Sequence, residues 1–479
     1  MKCKLHSIRL QQIIPLLCWI AAACSIPKIP MEDNAIPMPT AFQISTDTLN
    51  SVSDGWRSFF TSTPLRKLLD SVIANNPDMA IATQRIQASR ALLVRSSGAL
   101  MPSVDAAIQP SLRKFGTYTM DGAGNKTTEI ESGRYVPVHL PDIYLGLQAS
   151  WEVDVWGKLK NQKQAALARY LASNEGRNLI QTGLVAETAT AYYELVCADH
   201  QLNLLDQTIK LQEQAVEMVK VQKQAAVVNE LAVQQFEAQV LELRGMREEV
   251  LQGIDMLENR IHLLAGRFSG SVKRDTVKFV AEPPPVVYSG VPAALLRNRP
   301  DIRQAEWELQ ATRSDVKAAR AAYFPSFQIT GNIGLQAYKA GLLIAFPESL
   351  AYGLFAGMMG PILNKSSVKS EFARASAIQQ EALFNYKKTI LQGFSEVQLE
   401  LNRLQRMERS FDLKQKETNL LASSTIISDA LFRTGRAAYL EVLIARQNAL
   451  RSNMELINMR KNQYLSAVLL FRALGGGYD

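Results

Sequence analysis

Residues 75–103 read NNPDMAIATQRIQASRALLVRSSGALMPS, and residues 298–326 read NRPDIRQAEWELQATRSDVKAARAAYFPS. At a constant offset of 223, without a gap, ten positions are identical, among them Pro77 and Pro300. Self-similarity over so long a period indicates duplication of a whole structural half rather than a short solenoid repeat. Each copy runs from Asn-x-Pro-Asp through a helix-forming stretch to Pro-Ser and then to alternating residues. The sequence therefore predicts one helix followed by one strand, made twice.

The composition is that of a folded protein. Hydrophobic residues make up 47% of the 479 residues and charged residues 20%, which differs from the composition of disordered chains. The net charge of +8 is spread along the chain and forms no basic arm or stripe, so we expect no nucleic-acid partner. Cys197 lies alone in a helical pattern and is expected to be a small core residue.

The N-terminus has the features of a secretion signal. Basic residues precede an apolar run, residues 13–23, which is too short to span a bilayer as a helix. The run ends in AAAC, residues 21–24, which resembles a bacterial lipoprotein box, with Ala21 at the usual leucine position. The prediction is a lipoprotein signal peptide over 1–23 and a covalent lipid such as palmitate on Cys24, and several acyl chains would anchor the chain firmly. The alternative is plain signal cleavage just before an incidental cysteine.

Two blocks without proline, residues 142–282 and 362–479, predict long helices because both are rich in strong helix formers. Apolar residues recur at alternating three- and four-residue spacing over 240–264, and every seven residues over 443–464. These heptad seams predict helices that lie alongside one another as coiled coils. A single helix over 158–223 would be roughly 100 Å long at about 1.5 Å per residue, which is too long for a compact globule.

Four stretches carry the opposite pattern, because apolar and polar residues alternate in them: about 103–115, 142–155, 326–338 and 352–363. Each is long enough to cross a bilayer when tilted. The alternative is a small soluble sheet that caps the helices. Four strands cannot close a barrel, and open edges are unstable in lipid. If the strands span a membrane, several chains must pool them, and three chains would give a 12-stranded barrel with the polar residues inward.

The chain resembles the TolC-like outer-membrane efflux proteins, and among them the lipoprotein branch found in drug-efflux systems. The resemblance covers residues 56–478 and rests on motifs in a fixed order: NNPD at 75–78, SWEVDVWGKLK at 150–160, RNRPDIRQAEWEL at 297–309, AAYFPSF at 321–327 and FRALGGG at 471–477.

This resemblance implies an α+β membrane protein that forms a homotrimer. Long antiparallel coiled-coil helices would form a periplasmic tunnel below a 12-stranded barrel in the bacterial outer membrane, to which each chain gives four strands. The implied function is the exit duct of a tripartite efflux system that exports drugs or other small toxic compounds unchanged, and so confers antibiotic resistance. The implied partners are outer-membrane lipid, a periplasmic adaptor protein and an inner-membrane efflux pump.

The sequence predicts the following division of the chain: signal peptide 1–23, lipidated extension 24–61, first structural repeat 62–272, inter-repeat linker 273–296, second structural repeat 297–474 and C-terminal tail 475–479.

The closed end of the tunnel is expected at two helical hairpin tips, about Val227–Ala232 and Thr434–Leu440. FRTGRAAYLEVL, residues 432–443, resembles the family's Tyr/Phe-x-x-Gly…Leu-x-x-Leu stretch. Family members usually place an aspartate directly after it, which helps to form an acidic constriction, whereas this chain has Ile444. At the first tip, VVN at 227–229 stands where relatives commonly carry glycine, which predicts a specialised choice of adaptor.

Glu441, Arg436 and Tyr439 are therefore the predicted periplasmic gate. Glu441 lies about one helical turn before Ile444 and could supply acid in the same region. Three copies of this carboxylate on a threefold axis would repel one another, bind cations, or pair with Arg436 or Arg446. The alternative is a solvated helix face without a role in closure.

We predict no enzyme: the histidines are scattered, no Cys/His spacing suits zinc, and phosphate-loop and nucleophile-elbow motifs are absent. No catalytic residue, metal site or cofactor is expected apart from the lipid on Cys24. Two other functions remain open. One is an outer-membrane duct for type I protein secretion, and the other is a lipid-anchored structural coiled-coil tether.

Overall fold

A computed structural model describes residues 39–42, 55–275, 279–360 and 366–478. The predicted signal peptide, Cys24 and residues 361–363 at the end of the last predicted strand lie outside these ranges.

The helices are α1 Gly55–Phe59, α2 Thr63–Asn75, α3 Pro77–Gly98, α4 Met120–Thr127, α5 Lys158–Gln224, α6 Glu230–Leu264, α7 Leu295–Asn298, α8 Pro300–Ala321, α9 Ser366–Arg433 and α10 Tyr439–Ala473. The strands are β1 Ser103–Arg113, β2 Glu129–Glu131, β3 Arg134–Tyr135, β4 Leu140–Val153, β5 Ser326–Ala337 and β6 Leu350–Met359. Short 3₁₀ helices lie at Pro292–Ala294 and Ala340–Leu342.

The described residues fall into two compact units, and each unit draws on both sequence repeats. The first, the sheet unit, contains residues 88–170 and 308–383, and the second, the core unit, contains residues 34–87, 171–307 and 384–479 as far as these are described. The boundaries of these two compact units therefore differ from those of the predicted repeats, 62–272 and 297–474.

The sheet unit is built on one antiparallel sheet with the strand order β1-β4-β5-β6. The neighbouring strands β4 and β5 come from different repeats, and eleven residue pairs join them, from Ile143↔Ala337 to Val153↔Phe327. The four strands lie where alternation predicts them, but β1 and β4 end two residues before the predicted 115 and 155, β4 begins two residues before 142, and β6 begins two residues before 352. Leu350 and Ala351 extend it because they pair with Leu335 and Gly334.

The long helices form two hairpins of nearly equal dimensions. Helices α5 and α6 have 67 and 35 residues, and α9 and α10 have 68 and 35. This confirms the prediction of one uninterrupted helix over 158–223. The predicted seam of α6 is buried at Val240, Leu243, Ile254, Ile261 and Leu264. In the described ranges, every helix is too short or too polar to cross a membrane.

The hydrophobic centre of the core unit is rich in aromatic side chains. Phe59 stacks on Phe471 at a centroid distance of 4.2 Å, and Tyr193 stacks on Tyr464 at 4.5 Å. Trp56, in α1, is fully buried in the same cluster. Large buried rings contribute much of the hydrophobic free energy of such a core, so the ends of α6 and α10 are firmly packed against the middle of α5 in this unit.

One contact occurs twice, and it is made by the residue that differs between the two copies of the Asn-x-Pro-Asp motif. In the first repeat, the Asn76 side chain donates to the carbonyl of Leu264, at the end of α6, over 2.9 Å. In the second, Arg299 Nη1 donates to the carbonyl of Ala473, at the end of α10, over 2.8 Å. The residue before each repeated proline therefore binds the last carbonyls of the second hairpin helix, which are otherwise unpaired.

A glycine follows each of these helix ends, and its position requires glycine. Gly266 has φ +63° and Gly475 has φ +91°. A Cβ at either position would lie less than 3.0 Å from the backbone carbonyl of Asn75 or of Asn298. The FRALGGG motif thus places Gly475 directly against the chain that leads into Pro300, which accounts for two of the motifs that carry the family resemblance.

Candidate functional site

The sheet has one uniformly apolar face. The pairing register puts the odd-numbered residues of β4 from Ile143 to Val153 on the same side as the even-numbered residues of β1 from Val104 to Leu112. Residues on this face are exposed, for example Ile108 at 74% and Leu354 at 79%. A contiguous exposed apolar surface of this extent marks contact with lipid or protein. This register confirms the shared face that alternation predicts for β4.

The opposite face of the sheet is polar on β1, β4 and β5, where side chains pair across the strands, whereas β6 places Ala351, Phe355 and Met359 on it. Gln109 and Gln148 exchange hydrogen bonds of 3.4 and 3.3 Å between β1 and β4. Gln336 of β5 donates to Asp142 of β4 over 2.8 Å. One apolar face and one polar face is the pattern of a membrane sheet that borders an aqueous lumen.

Two glycines meet in the middle of the polar face, where β4 and β5 pair. Gly146 is opposite Gly334, and a Cβ on either would lie less than 3.0 Å from backbone atoms of the other strand. The Tyr144 ring, which is buried, covers this position, and its hydroxyl donates to the carbonyl of Leu147 over 3.0 Å. The pair of glycines therefore makes room for an aromatic ring that fills the surface of the sheet.

The SWEVDVWGKLK motif forms the turn from β4 into α5. Asp154 accepts from the backbone N–H groups of Leu159 and Lys160, over 3.0 and 2.7 Å, and so satisfies unpaired donors in the first turn of α5. Glu152 pairs with Lys158 over 2.9 Å. Because both acids hold this turn in place, their arrangement serves structure rather than catalysis.

Both tryptophans of this motif are fixed at the end of the sheet. Trp151 donates its indole N–H to the carbonyl of Leu100 over 3.0 Å, and Trp156 donates to that of Pro325 over 2.7 Å. Trp156 also stacks on Phe324 at 4.7 Å. Amphipathic rings at the end of an apolar band are typical of a membrane interface.

The two hairpin tips in the core unit share one turn geometry. After α9, the N–H groups of Gly435 and Arg436 bind the carbonyls of Phe432 and Leu431, over 3.0 and 2.9 Å. After α5, Ala226 and Val227 bind Lys223 and Gln222 in the same way, both over 2.9 Å. Each turn is a Schellman motif, which needs a left-handed residue after the helix cap. Gly435 supplies it with φ +71° in one tip, and Ala226 with φ +59° in the other.

The predicted gate residues lie at the second tip but do not contact one another through hydrogen bonds. Arg436 is exposed in the turn, and Glu441 is exposed in the first turn of α10. Within the described part of the chain, neither side chain has a hydrogen-bonding or ion-pair partner. Tyr439 is half-buried against the cluster that contains Phe236 and Leu443. The structure thus places all three at the tip and leaves the two charges open to solvent.

An ion pair that sequence reasoning did not identify lies just behind this tip. Arg446 of α10 donates to both oxygens of Asp429 of α9, over 3.0 and 3.1 Å, and to Gln212 of α5 over 3.0 Å. One guanidinium therefore joins both hairpins of the chain. The charge-assisted bonds are only partly exposed to solvent, so they contribute more than a fully exposed pair would. Counting back from the end of α9 at Arg433 and on from the start of α10 at Tyr439 would have placed Asp429 and Arg446 within about one helical turn of each other.

The first tip carries its own charges. Lys223 and Glu230, which flank the turn, form an ion pair, and the nearby Lys223 ammonium lowers the pKa of Glu230. Asn229 caps α6, because its side chain accepts from the backbone N–H of Ala232 over 3.2 Å. The corresponding residue before α10 is Ala438, which has no side-chain cap.

Comparison with known proteins places this architecture in a family. Residues 68–266 and 291–476 match the family model described as outer membrane efflux protein. The chain is 26% identical over 467 residues to the probable outer membrane lipoprotein SilC of Salmonella typhimurium, covering 96% of this chain and 97% of SilC. It is 27% identical over 451 residues to the cation efflux system protein CusC of Escherichia coli K12, covering 92% and 94%.

Solved structures agree with this result. A crystal structure of CusC superimposes with a TM-score of 0.79 at 25% identity, covering 95% of this chain and 99% of that one. The outer-membrane channel OprN superimposes with a TM-score of 0.82 at 21% identity, covering 95% and 99%. The second likeness concerns the fold alone.

Proposed function

The chain belongs to the outer membrane efflux protein family, and on this basis we propose that three copies of it form one exit duct for small toxic compounds. It is an outer-membrane efflux channel, as its relatives are. The proposed duct moves its cargo without chemical change, because the family consists of channels rather than enzymes. A periplasmic adaptor and an inner-membrane pump would complete the system and supply the energy.

The proposal of a trimer rests on the sheet, which has two unlike faces and two free edges. Among the residues that the structure describes, strands β1 and β6 each have one neighbour in the sheet, so each has one edge of backbone groups without a strand partner there. In lipid such an edge must be paired, because no water is present to bind the exposed N–H and C=O groups. Three sheets joined edge to edge would give 12 strands, with the apolar face toward lipid and the polar face toward the lumen.

The nature of the cargo is proposed from the relatives. The similar proteins include a cation efflux protein, a pyoverdine export protein and a toluene efflux protein, and all of these exports are small. We expect small compounds, including drugs, to be the cargo here also. Protein secretion and a purely structural tether fit less well, since the relatives are named for efflux and a tether would have no use for a lumen-facing polar sheet.

The oligomeric state of the protein is the first test of this proposal. The mature protein extracted in detergent should have the protein mass of three chains by light scattering, and planar bilayers that contain it should conduct ions in uniform steps. A monomer that conducts nothing would contradict the duct. Deleting the gene should lower the minimum inhibitory concentrations of exported compounds, and a plasmid copy should restore them.

The gate at the second tip remains a proposal that geometry supports. Glu441, Arg436 and Tyr439 lie at the end of the α9–α10 hairpin, and Glu441 and Arg436 are free to face other copies of the chain. We expect Glu441→Ala to increase the passive leak of large antibiotics such as vancomycin through the duct. Glu230→Ala, the matched acid at the start of α6, should leave the leak unchanged. If the two variants leak equally, Glu441 has no special role in closure.

Anchorage by lipid on Cys24 is also proposed. The sequence around Cys24 supports it, and the relative SilC is named a lipoprotein. Mass spectrometry of the mature N-terminal peptide should find acyl chains, such as palmitate, on the cysteine. Cys24→Ser should abolish this mass increase, and an unmodified mature N-terminus in the parent protein would contradict the proposal.

A further inference from the structure

The two strand hairpins of the sheet unit end in loops of opposite character. The loop between β1 and β4, residues 114–139, is polar and carries α4 and the β2–β3 pair. The loop between β5 and β6 reads KAGLLIAFPES, residues 339–349, and contains five consecutive apolar residues. Ile344 is 85% exposed and Phe346 is 70% exposed. An apolar run that the sheet unit leaves this open requires a partner.

In the apolar run of this loop, residues 342–346, most backbone N–H groups are paired within the hairpin. Within the hairpin, five hydrogen bonds of 2.8–3.2 Å join an N–H group to a carbonyl two to four residues earlier. The pairs are Leu342 to Lys339, Leu343 to Ala340, Ala345 to Leu342, Phe346 to Ile344 and Ser349 to Ala345. A segment can contact hydrocarbon only if its own backbone groups are paired, since each unpaired group would lose its water. The apolar run 342–346 meets this condition at four of its five N–H groups, all but that of Ile344, and so most of it can leave water without stranding backbone donors.

The loop is also continuous with the apolar face of the sheet. Strand β6 begins directly after it, and Leu350, Tyr352 and Leu354 lie exposed on that face. At the other end of the loop, the Lys339 ammonium lies 5.4 Å from the centroid of the Tyr338 ring. Tyrosine and lysine side chains are characteristic of the headgroup region, where the ring is partly apolar and the ammonium remains hydrated.

From these observations we propose that residues 339–349 dock into the lipid leaflet around the mouth of the duct, with Ile344 and Phe346 among the acyl chains and Lys339 at the headgroups. The loop lies at the end of the sheet opposite the strand ends that lead to α3, α5, α8 and α9. It would anchor one hairpin of each chain in the membrane, while the polar 114–139 loop remains in water. This inference rests on the proposed membrane sheet.

Depth measurements by spin labelling test the inference in the assembled protein. A nitroxide is attached to single cysteines in the variants Ile344→Cys, Phe346→Cys, Tyr352→Cys and Tyr118→Cys, reconstituted in phosphatidylethanolamine–phosphatidylglycerol vesicles. The parent protein is the labelling blank, because Cys197 is buried. Power saturation then compares collisions with oxygen, which concentrates in lipid, and with a water-soluble nickel chelate. Tyr352 lies on the apolar strand face and Tyr118 in the polar loop, where it is fully exposed.

We expect the oxygen-to-nickel collision ratio at 344 and 346 to approach that at 352 and to exceed that at 118. A ratio at 344 and 346 as low as that at 118, with a high ratio at 352, would overturn the loop inference and leave the membrane sheet standing. Labels at 344 and 346 that neither reagent reaches would place the loop against a second copy or inside the duct, which also overturns it. A low ratio at 352 as well would remove the membrane sheet itself.

Discussion

Ala226 offers a direct test of the turn that both hairpin tips share. It is the residue with a left-handed backbone at the end of α5, whereas α9 has Gly435 at the corresponding position. A Cβ in the left-handed region costs about 1–2 kcal/mol relative to glycine. Glycine offsets about 0.4–1 kcal/mol of this gain, because its greater conformational freedom stabilises the unfolded chain. Taking the middle of each range, Ala226→Gly should therefore stabilise the first tip by about 0.8 kcal/mol.

The reciprocal variant, Gly435→Ala, should destabilise the second tip by a similar amount. A Cβ at Gly435 would have no atom within 4 Å, so steric contact would add nothing to the backbone term. The two substitutions thus isolate the same backbone term with opposite signs, in two turns that share one pattern of hydrogen bonds.

Native-state hydrogen exchange, followed by mass spectrometry on the detergent-solubilised protein, measures both effects. A change of about 0.5–1 kcal/mol corresponds to about a two- to fivefold change in the exchange rate of amides that open locally. Ala226→Gly should slow exchange in peptides that contain Val227, and Gly435→Ala should speed it in peptides that contain Arg436. Exchange in peptides distant from both tips is the internal control. If Ala226→Gly speeds exchange or leaves it unchanged, backbone strain is not what distinguishes the tips.

Three further outcomes follow from the core unit. Gly475→Ala should lower the melting temperature and the yield of folded protein, because its Cβ would collide with the carbonyl of Asn298. The control variant Gly245→Ala, in open space on α6, should be neutral or stabilise by up to about 1 kcal/mol. Equal melting temperatures of the two variants would contradict this account. Burial raises the pKa of the Cys197 thiol to about 11, so maleimide should label it at pH 8 only after denaturation, and rapid labelling of the native protein would refute its burial. Arg299→Met should destabilise by about 2–4 kcal/mol in thermal unfolding, since it removes a nearly buried guanidinium from its carboxylate partners, and an unchanged melting temperature would show that these bonds contribute little.

Much of the fold follows from local sequence patterns. The strands were predictable because their alternation has the period of a sheet, and the register of β4 against β5 puts the predicted apolar residues on one face. The long helices were predictable because two long blocks lack proline and carry heptad seams. Both signals depend only on residues that are close in the chain.

Contacts between distant segments were not predictable in the same way. Arg299 binds Glu396 and the carbonyl of Ala473, which are 97 and 174 residues away, and no local pattern specifies such partners. The first hairpin tip was placed about two residues too late, because the turn after α5 has a left-handed alanine, Ala226, rather than a glycine that would signal the turn. The predicted gate residues gave no indication of the bond between Arg446 and Asp429.

The two tips differ in a way that bears on which of them opens. The first combines a strained turn at Ala226 with a capped helix, because Asn229 binds the first turn of α6. The second combines a relaxed turn at Gly435 with an uncapped helix, because Ala438 has no side chain that could bind α10. A missing cap weakens the start of a helix by about 1 kcal/mol, and the start of α10 is where Glu441 lies. Unwinding the first turn of α10 therefore requires less free energy than unwinding that of α6, so within the proposed gate the start of α10 is the helix start that unwinds more easily.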